Sequence, residues 1–299
     1  MAHHHTNTKG LSAAFWLNFL FSMVEIAGGI FTNSTAIIAD AFHDFMDAMA
    51  IGAAVWLEKV SAKKRTPKFS YGYRRFSLLA ALGMSVFLLV GAVLMSIAAI
   101  ESFYVPEAVN SKGMLWIAVA GIAINGLAFF RMKKDNAHHH GHHHSHSHNS
   151  RAVMLHLLED VLGWVAVLIG AAVIYFTGWY WIDGALTLAI AIFISYNAVR
   201  NLISTLSVLL QSVPEKMDLE TISNELSRIE GIDNIHDLHI WSLDGSYNVA
   251  TLHAVVHEAK KEAKDDIFTA IIKVLRKHHI QHPTIQFETT GTHCELAGC

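Results

Sequence analysis

A chain of 299 residues that is 53% hydrophobic and only 16% charged is too apolar for an ordinary soluble domain, so most of it belongs in lipid. Its 22 basic and 25 acidic residues carry no nucleic-acid signature, whereas 21 histidines ask for a metal or proton role. The only two cysteines, Cys294 and Cys299, fit reduced thiols or metal ligands better than a disulfide framework.

A membrane-spanning helix needs about 20 mostly apolar residues. Six windows qualify: roughly 11–31, 34–58, 76–101, 112–132, 152–177 and 181–212. An even number of spans puts both termini on one side. The 59–75 connection carries Lys59, Lys63, Lys64, Arg65, Lys68, Arg74 and Arg75, and the 131–151 connection carries Arg131, Lys133, Lys134 and Arg151. The connections near 32–35, 102–111 and 178–182 hold no Lys or Arg, with Lys112 at their margin. The positive-inside rule then makes the basic loops and both termini cytoplasmic. The first apolar run is long and is not followed by a small-residue processing site, so no cleavable signal is expected.

Between the fourth and fifth windows, in the stretch 137–149, stand His138, His139, His140, His142, His143, His144, His146 and His148. Imidazoles at this density do not pack a core; the expectation is a cytoplasmic loop that collects metal weakly at overlapping sites, or merely buffers it. His3, His4 and His5 near the start belong to the same category or to a tag remnant.

After Pro214 the composition changes. Met217–Ile229 and Ala263–His278 have helical spacing, Asn234–Trp241, Tyr247–Val256 and Thr284–Glu288 read as strands, and Asp244-Gly245 is a turn. The expected fold is thus a membrane α-helical domain of six transmembrane helices over 1–212, followed over 213–299 by a cytoplasmic α+β domain of ferredoxin-like αββαβ order.

One five-residue word occurs twice inside apolar windows, as His43-x-x-x-Asp47 and His156-x-x-x-Asp160. A charge at the bilayer centre costs roughly 2.5–3.5 kcal/mol even on insertion scales, so each copy needs a function. Residues four apart share a helix face, which lets each pair address one ion. Entering from outside, the second window carries His43 and Asp47 ~13–20 Å down, while His156 and Asp160 lie ~6–12 Å in from the opposite face of a ~30 Å core, nearly the same depth. Two imidazoles and two carboxylates make a tetrahedral set suited to Zn²⁺ and, less selectively, to Co²⁺ or Cd²⁺. Metal binding needs neutral imidazole and ionised carboxylate, so protons and metal compete and the expected transport is antiport. Asp40, one turn before His43, either guides released cations or bonds a neighbouring helix, the structural role being the expected one; the same holds for Glu25, Asn18 and Asp183, and at the start of the sixth window the Asp183 carboxylate also serves as an N-cap.

Other classes fit less well. Bis-His haem ligation leaves the paired Asp residues unexplained, and an intramembrane zinc protease would need His-Glu-x-x-His and an open water position. No enzyme activity is expected. A membrane metal sensor that binds without transporting remains the alternative, distinguished by flux.

Several segments resemble the cation diffusion facilitator family, in particular its bacterial zinc exporters. These are Ser34 to His43 (STAIIADAFH), Leu155 to Asp160 (LHLLED), Tyr71-Gly72-Tyr73, Thr177-Gly178-Trp179 through Asp183, and His236 to Trp241 (HDLHIW). The resemblance implies a homodimeric, proton-coupled Zn²⁺ exporter of the bacterial inner membrane, with its transport site at His43, Asp47, His156 and Asp160. The chain departs from the family at Ser77 and Gly83, where many members have Glu and Asn, and in the extra carboxylates Asp44 and Glu159.

In the tail, His239, His253 and Glu288 are spaced to face one surface of the strands, and His282, Cys294 and Cys299 bring imidazole and thiolates near the end. Matching positions in the family form cytoplasmic zinc sites at the dimer interface. His236, His257, His278 and His279 read as ordinary surface or core residues.

Overall fold

The computed structural model describes residues 8–61, 63, 65–138, 147–257 and 263–289; within these, the side chains of 8–14, 55, 58, 61, 132–138 and 147–156 lie outside the description. Six long helices come first: α1 (Thr8–Thr32), α2 (Thr35–Ser61), α3 (Phe76–Tyr104), α4 (Ser111–His138), α5 (Ser147–Thr177) and α6 (Trp181–Leu209). All but α2 hold a stretch long and apolar enough to cross a membrane. With 27 residues α2 has the length, about 40 Å at 1.5 Å per residue, but Asp40, Asp44, Asp47, Glu58 and Lys59 lower its hydropathy. The helices follow the expected windows, except that α4 and α5 extend to His138 and from Ser147 into the expected His-rich loop.

The chain divides into two compact units, one running to Trp56 and resuming over Gly83–Arg200, the other combining Leu57–Leu82 with the chain from Asn201 onward. In the first, Ile37 of α2, Met114 and Ala118 of α4, and Trp164, Val167 and Ala171 of α5 form one buried cluster. Gly121 makes room for the largest of these, since a Cβ there would overlap the Trp164 ring. The α1–α2 joint is a tight helix stop. Asn33 is left-handed (φ 54°), Ser34 N–H donates to Gly29 C=O at 3.0 Å, and Asn33 N–H donates to Ile30 C=O at 3.2 Å, which satisfies the last carbonyls of α1. Ser34 Oγ then accepts from Ile37 N–H at 3.2 Å and starts α2.

The second unit carries α7 (Leu219–Ser227), β1 (Ile232–Ser242), β2 (Asn248–Val256), α8 (Lys264–Lys277) and β3 (Ile280–Thr289), in the order read from the sequence. The sheet runs β1-β2-β3, with β1 antiparallel and β3 parallel to β2. Ile222 and Leu226 of α7 and Ile267, Ile271 and Leu275 of α8 bury against Ile235, Ile240, Leu252 and Ala254 of the sheet. One sheet face is thereby left for histidines and carboxylates. β3 begins at Ile280 rather than Thr284 because Pro283, which cannot donate to a ladder, is tolerated on an edge strand.

Candidate metal sites

On α2 the one-turn spacing does what helix geometry requires: His43 Nε2 lies 3.8 Å from Asp47 Oδ2, both side chains half-buried. The Phe193 ring of α6 stands edge-on to the imidazole at 6.4 Å. A Cβ on Gly163 of α5 would lie in ordinary contact, 3.5 Å, with Asp40 Oδ1, so these two residues face each other across α2 and α5. Ala36 and Ile37 share a core with Val167, Ala171 and Ile174, so α2 numbers rise as α5 numbers fall. Counting antiparallel from Asp40 opposite Gly163 puts 43 level with 160 and 47 level with 156. Asp160 is close enough to Asp40, Asp44 and Glu25 for their charges to interact. His156 belongs to α5, and its side chain lies outside the description.

The flanking acids separate by surroundings. Glu25 and Asp40 are buried, whereas Glu159 is exposed. Asp183, in the first turn of α6, accepts from Ser34 Oγ, from Thr35 N–H at 2.7 Å and from Thr35 Oγ1 at 2.9 Å. It therefore caps α2, not its own helix, and pins α6 to the entry of the helix that carries His43.

The second group lies on the sheet face away from α7 and α8. β1–β2 register sets His236 opposite His253, and β2–β3 register sets Glu288 opposite Val255, two residues on and on the same face. His253 Nδ1 is 2.9 Å from Glu288 Oε1, and His236 Nε2 is 3.3 Å from Glu288 Oε2. One ligand atom from each of the three residues falls within 4.8 Å of the others. Ligands at tetrahedral Zn–N and Zn–O lengths stand roughly 3.3–3.6 Å apart, so small adjustments would seat a divalent ion. His236 Nε2 is shielded from water, and its contact with Glu288 lacks hydrogen-bond geometry. Asp237 Oδ2 stands 3.6 Å from His253 Nε2, where a carboxylate orients a metal-bound imidazole.

His236, read from the sequence as an ordinary strand residue, thus joins His253 and Glu288. His239 stands farther along β1, half-exposed, with Nε2 2.7 Å from Asp237 Oδ1. The reason is a bulge between His236 and His239, with Asp237 left-handed at φ 51°, which breaks the two-residue alternation on which a sequence reading relies. The warning sign was an Asp, tolerant of that conformation, between two strand histidines. His282 packs against the Tyr71 ring at 5.7 Å, apart from this group. His278 Nε2 lies 3.1 Å from Glu225 and, with Lys277, joins α8 to α7. Cys294, Cys299 and His139 to His146 lie outside the described residues, as do the side chains of His138 and His148.

The description "cation efflux transmembrane domain" matches residues 11–210, and "cation efflux protein, cytoplasmic domain" matches residues 214–290. The chain belongs to the cation diffusion facilitator, or cation efflux, family. Within that family it is 32% identical over 297 residues to a Bacillus velezensis protein named cadmium, cobalt and zinc/H⁺-K⁺ antiporter, covering 97% of this chain and 93% of the relative. A Cupriavidus metallidurans metal cation efflux system protein, CzcD, is 32% identical over 99% of this chain and 91% of its own length. The Escherichia coli zinc transporter ZitB is 32% identical over 98% of this chain and 94% of its own. The efflux family's transmembrane region coincides with α1–α6 and its cytoplasmic region with α7–β3, so the first candidate group belongs to an integral membrane domain and the second to a cytoplasmic one.

Proposed function

We propose that this chain exports Zn²⁺, and less selectively Co²⁺ or Cd²⁺, from the cytoplasm in exchange for protons, by alternating access at His43, Asp47, His156 and Asp160. The observation that carries the reading is the His43–Asp47 half-site on α2, set against a helix whose register counts Asp160 and His156 to the same two levels. Each helix supplies one imidazole and one carboxylate, so relative movement of α2 and α5 makes or opens the tetrahedron. Cytoplasmic Zn²⁺ loads onto neutral imidazole and ionised carboxylate; protons arriving from the other side occupy the same atoms and release it. An imidazole with an ordinary pKa of about 6.5 is matched to such exchange. The names of the relatives, zinc, cadmium and cobalt transporters among them, agree with this substrate class.

In this reading residues 1–212 form the transport domain and 213–299 a ferredoxin-like cytoplasmic domain, in a homodimer of the bacterial inner membrane with both termini inside. The His236–His253–Glu288 group holds a resident Zn²⁺ that steadies the cytoplasmic domain, Cys294 and Cys299 offer further thiolate ligands, and the His-rich stretch gathers metal for transport. The deciding measurement is Zn²⁺ uptake into proteoliposomes carrying an internal pH probe, for the wild type and Asp160→Ala. The wild type moves Zn²⁺ with counterflow of H⁺, and the variant moves none. Undiminished flux in Asp160→Ala overturns the site, flux without proton movement overturns the antiport, and binding without flux makes the protein a sensor.

A further inference from the structure

Beyond the metal groups, the second unit contains a cleft of about 530 Å³ at the start of α3 and the end of α6. Its walls are of two kinds. Phe76, Leu79, Leu209 and Trp241 are apolar, while Lys68, Arg74 and Arg75 bring three cations, and no carboxylate lines it among the described residues. Arg74 is already engaged, 3.1 Å from Asp244 and 4.2 Å over the Tyr247 ring. Lys68 and Arg75 pair with no carboxylate among the described residues, and Arg75 Nε is shielded from solvent without a hydrogen-bond partner. A guanidinium donor withdrawn from water calls for an anionic acceptor.

Position narrows the acceptor. α3 and α6 are both apolar enough to cross a membrane, and the cleft opens where these helices meet the basic 59–75 connection. Leu79 is 53% exposed on the helix surface beside it, and Tyr71 is 48% exposed at its rim, the amphipathic placement found at membrane interfaces. A soluble anion would answer the cations and leave the apolar walls bare. An anionic phospholipid answers both, its phosphate at Lys68 and Arg75 and its chains along Phe76, Leu79 and Leu209.

We infer that this cleft is a binding site for an anionic phospholipid of the cytoplasmic leaflet. The turn that frames it is built for the purpose of holding shape: Gly72 is left-handed (φ 78°), and its N–H donates to Phe69 C=O at 2.9 Å. The headgroup would stand beside the Arg74–Asp244 link and brace the loop that leads into α3.

The test is native mass spectrometry of the full-length protein in detergent, titrated separately with phosphatidylglycerol and phosphatidylcholine. Phosphatidylglycerol is expected to be retained about tenfold more tightly, since each interfacial cation favours anionic lipid. Lys68→Ala with Arg75→Ala should abolish the preference, and Lys68→Arg with Arg75→Lys should keep it. Equal retention of the two lipids, or an unchanged preference in the alanine variant, overturns the site. Displacement of phosphatidylglycerol by millimolar inorganic phosphate would make it a soluble-anion site and equally overturn it. Should the alanine variant not fold, a photoactivatable phosphatidylglycerol on the wild type decides: cross-links concentrated in residues 68–79 and 209–213 support the site, and cross-links spread evenly over the helices refute it.

Discussion

On α2, His43 and Asp47 face each other across one helical turn at 3.8 Å, and their partners must come from another helix. On the sheet, His253 and Glu288 stand at 2.9 Å and His236 and Glu288 at 3.3 Å, on strands hydrogen-bonded side by side. Helices that touch through side chains can shift by sliding or rocking, at the cost of repacking alone. Strands cannot separate without breaking ladder bonds. A group split between helices is therefore suited to an ion that must leave, and one fixed on a sheet to an ion that stays.

The largest effect expected from this contrast is on Asp47→Ala, which should reduce Zn²⁺ flux in proteoliposomes to the background of empty vesicles while the zinc retained per chain after dialysis, read by elemental analysis, stays unchanged. Loss of both together would erase the distinction. His253→Ala should do the reverse, losing the retained ion and its stabilisation of the folded chain, about 2.7 kcal/mol at zinc a hundredfold above its dissociation constant. Thermal unfolding with and without a chelator measures it.

Within the sheet group, Asp237→Ala should weaken zinc retention about 10–100-fold by freeing the His253 ring, and His236→Ala should weaken it more. Competition with a calibrated chelator ranks them, and a larger loss in His239→Ala than in His236→Ala would contradict the bulged register. The helical unit has its own weak point. Gly121→Ala drives a methyl into Trp164 and should cost about 1–3 kcal/mol, whereas a Cβ at Gly126 meets nothing within 4 Å and Gly126→Ala should not destabilise. Thermal unfolding in detergent compares them, with zinc retention on the sheet unaffected by either.

The smallest effect concerns Asp244. Burial alone would raise its pKa, but the Ser246 and Tyr247 amides, the Ser246 hydroxyl and Arg74 together hold it below the ordinary 3.8. A depressed carboxylate pKa gives stability that is present above 3.8 and lost as the pH falls through the folded value. Asp244→Asn should therefore be less stable than the wild type at neutral pH, by under about 1 kcal/mol because the Arg74 side chain is 41% exposed to screening water, and the gap should close in acid. A gap that widens on acidification would contradict the assignment.

The helices were legible because lipid demands long apolar runs, and the runs were continuous enough to fix ten of the twelve helix ends to within three residues. The tail's element order was legible because helix and strand periods differ and Asp244-Gly245 announced its turn. The doubled His-x-x-x-Asp was visible because charge is conspicuous in an apolar window. His236 was not, since one left-handed residue at Asp237 shifts the face of everything beyond it, and the expectation that Asp183 bonds a neighbouring helix could not name Ser34 and Thr35 as its partners.

The sequence by itself determined which segments enter lipid, where the soluble fold begins and which residue types are present to hold a metal, because these follow from composition and local period. Only the tertiary structure decided which of those side chains meet. That depends on a bulge, a glycine that leaves room for the Trp164 ring and a cap that spans 148 residues, Asp183 accepting from Thr35 N–H, and such contacts join positions whose spacing along the chain carries no trace of them.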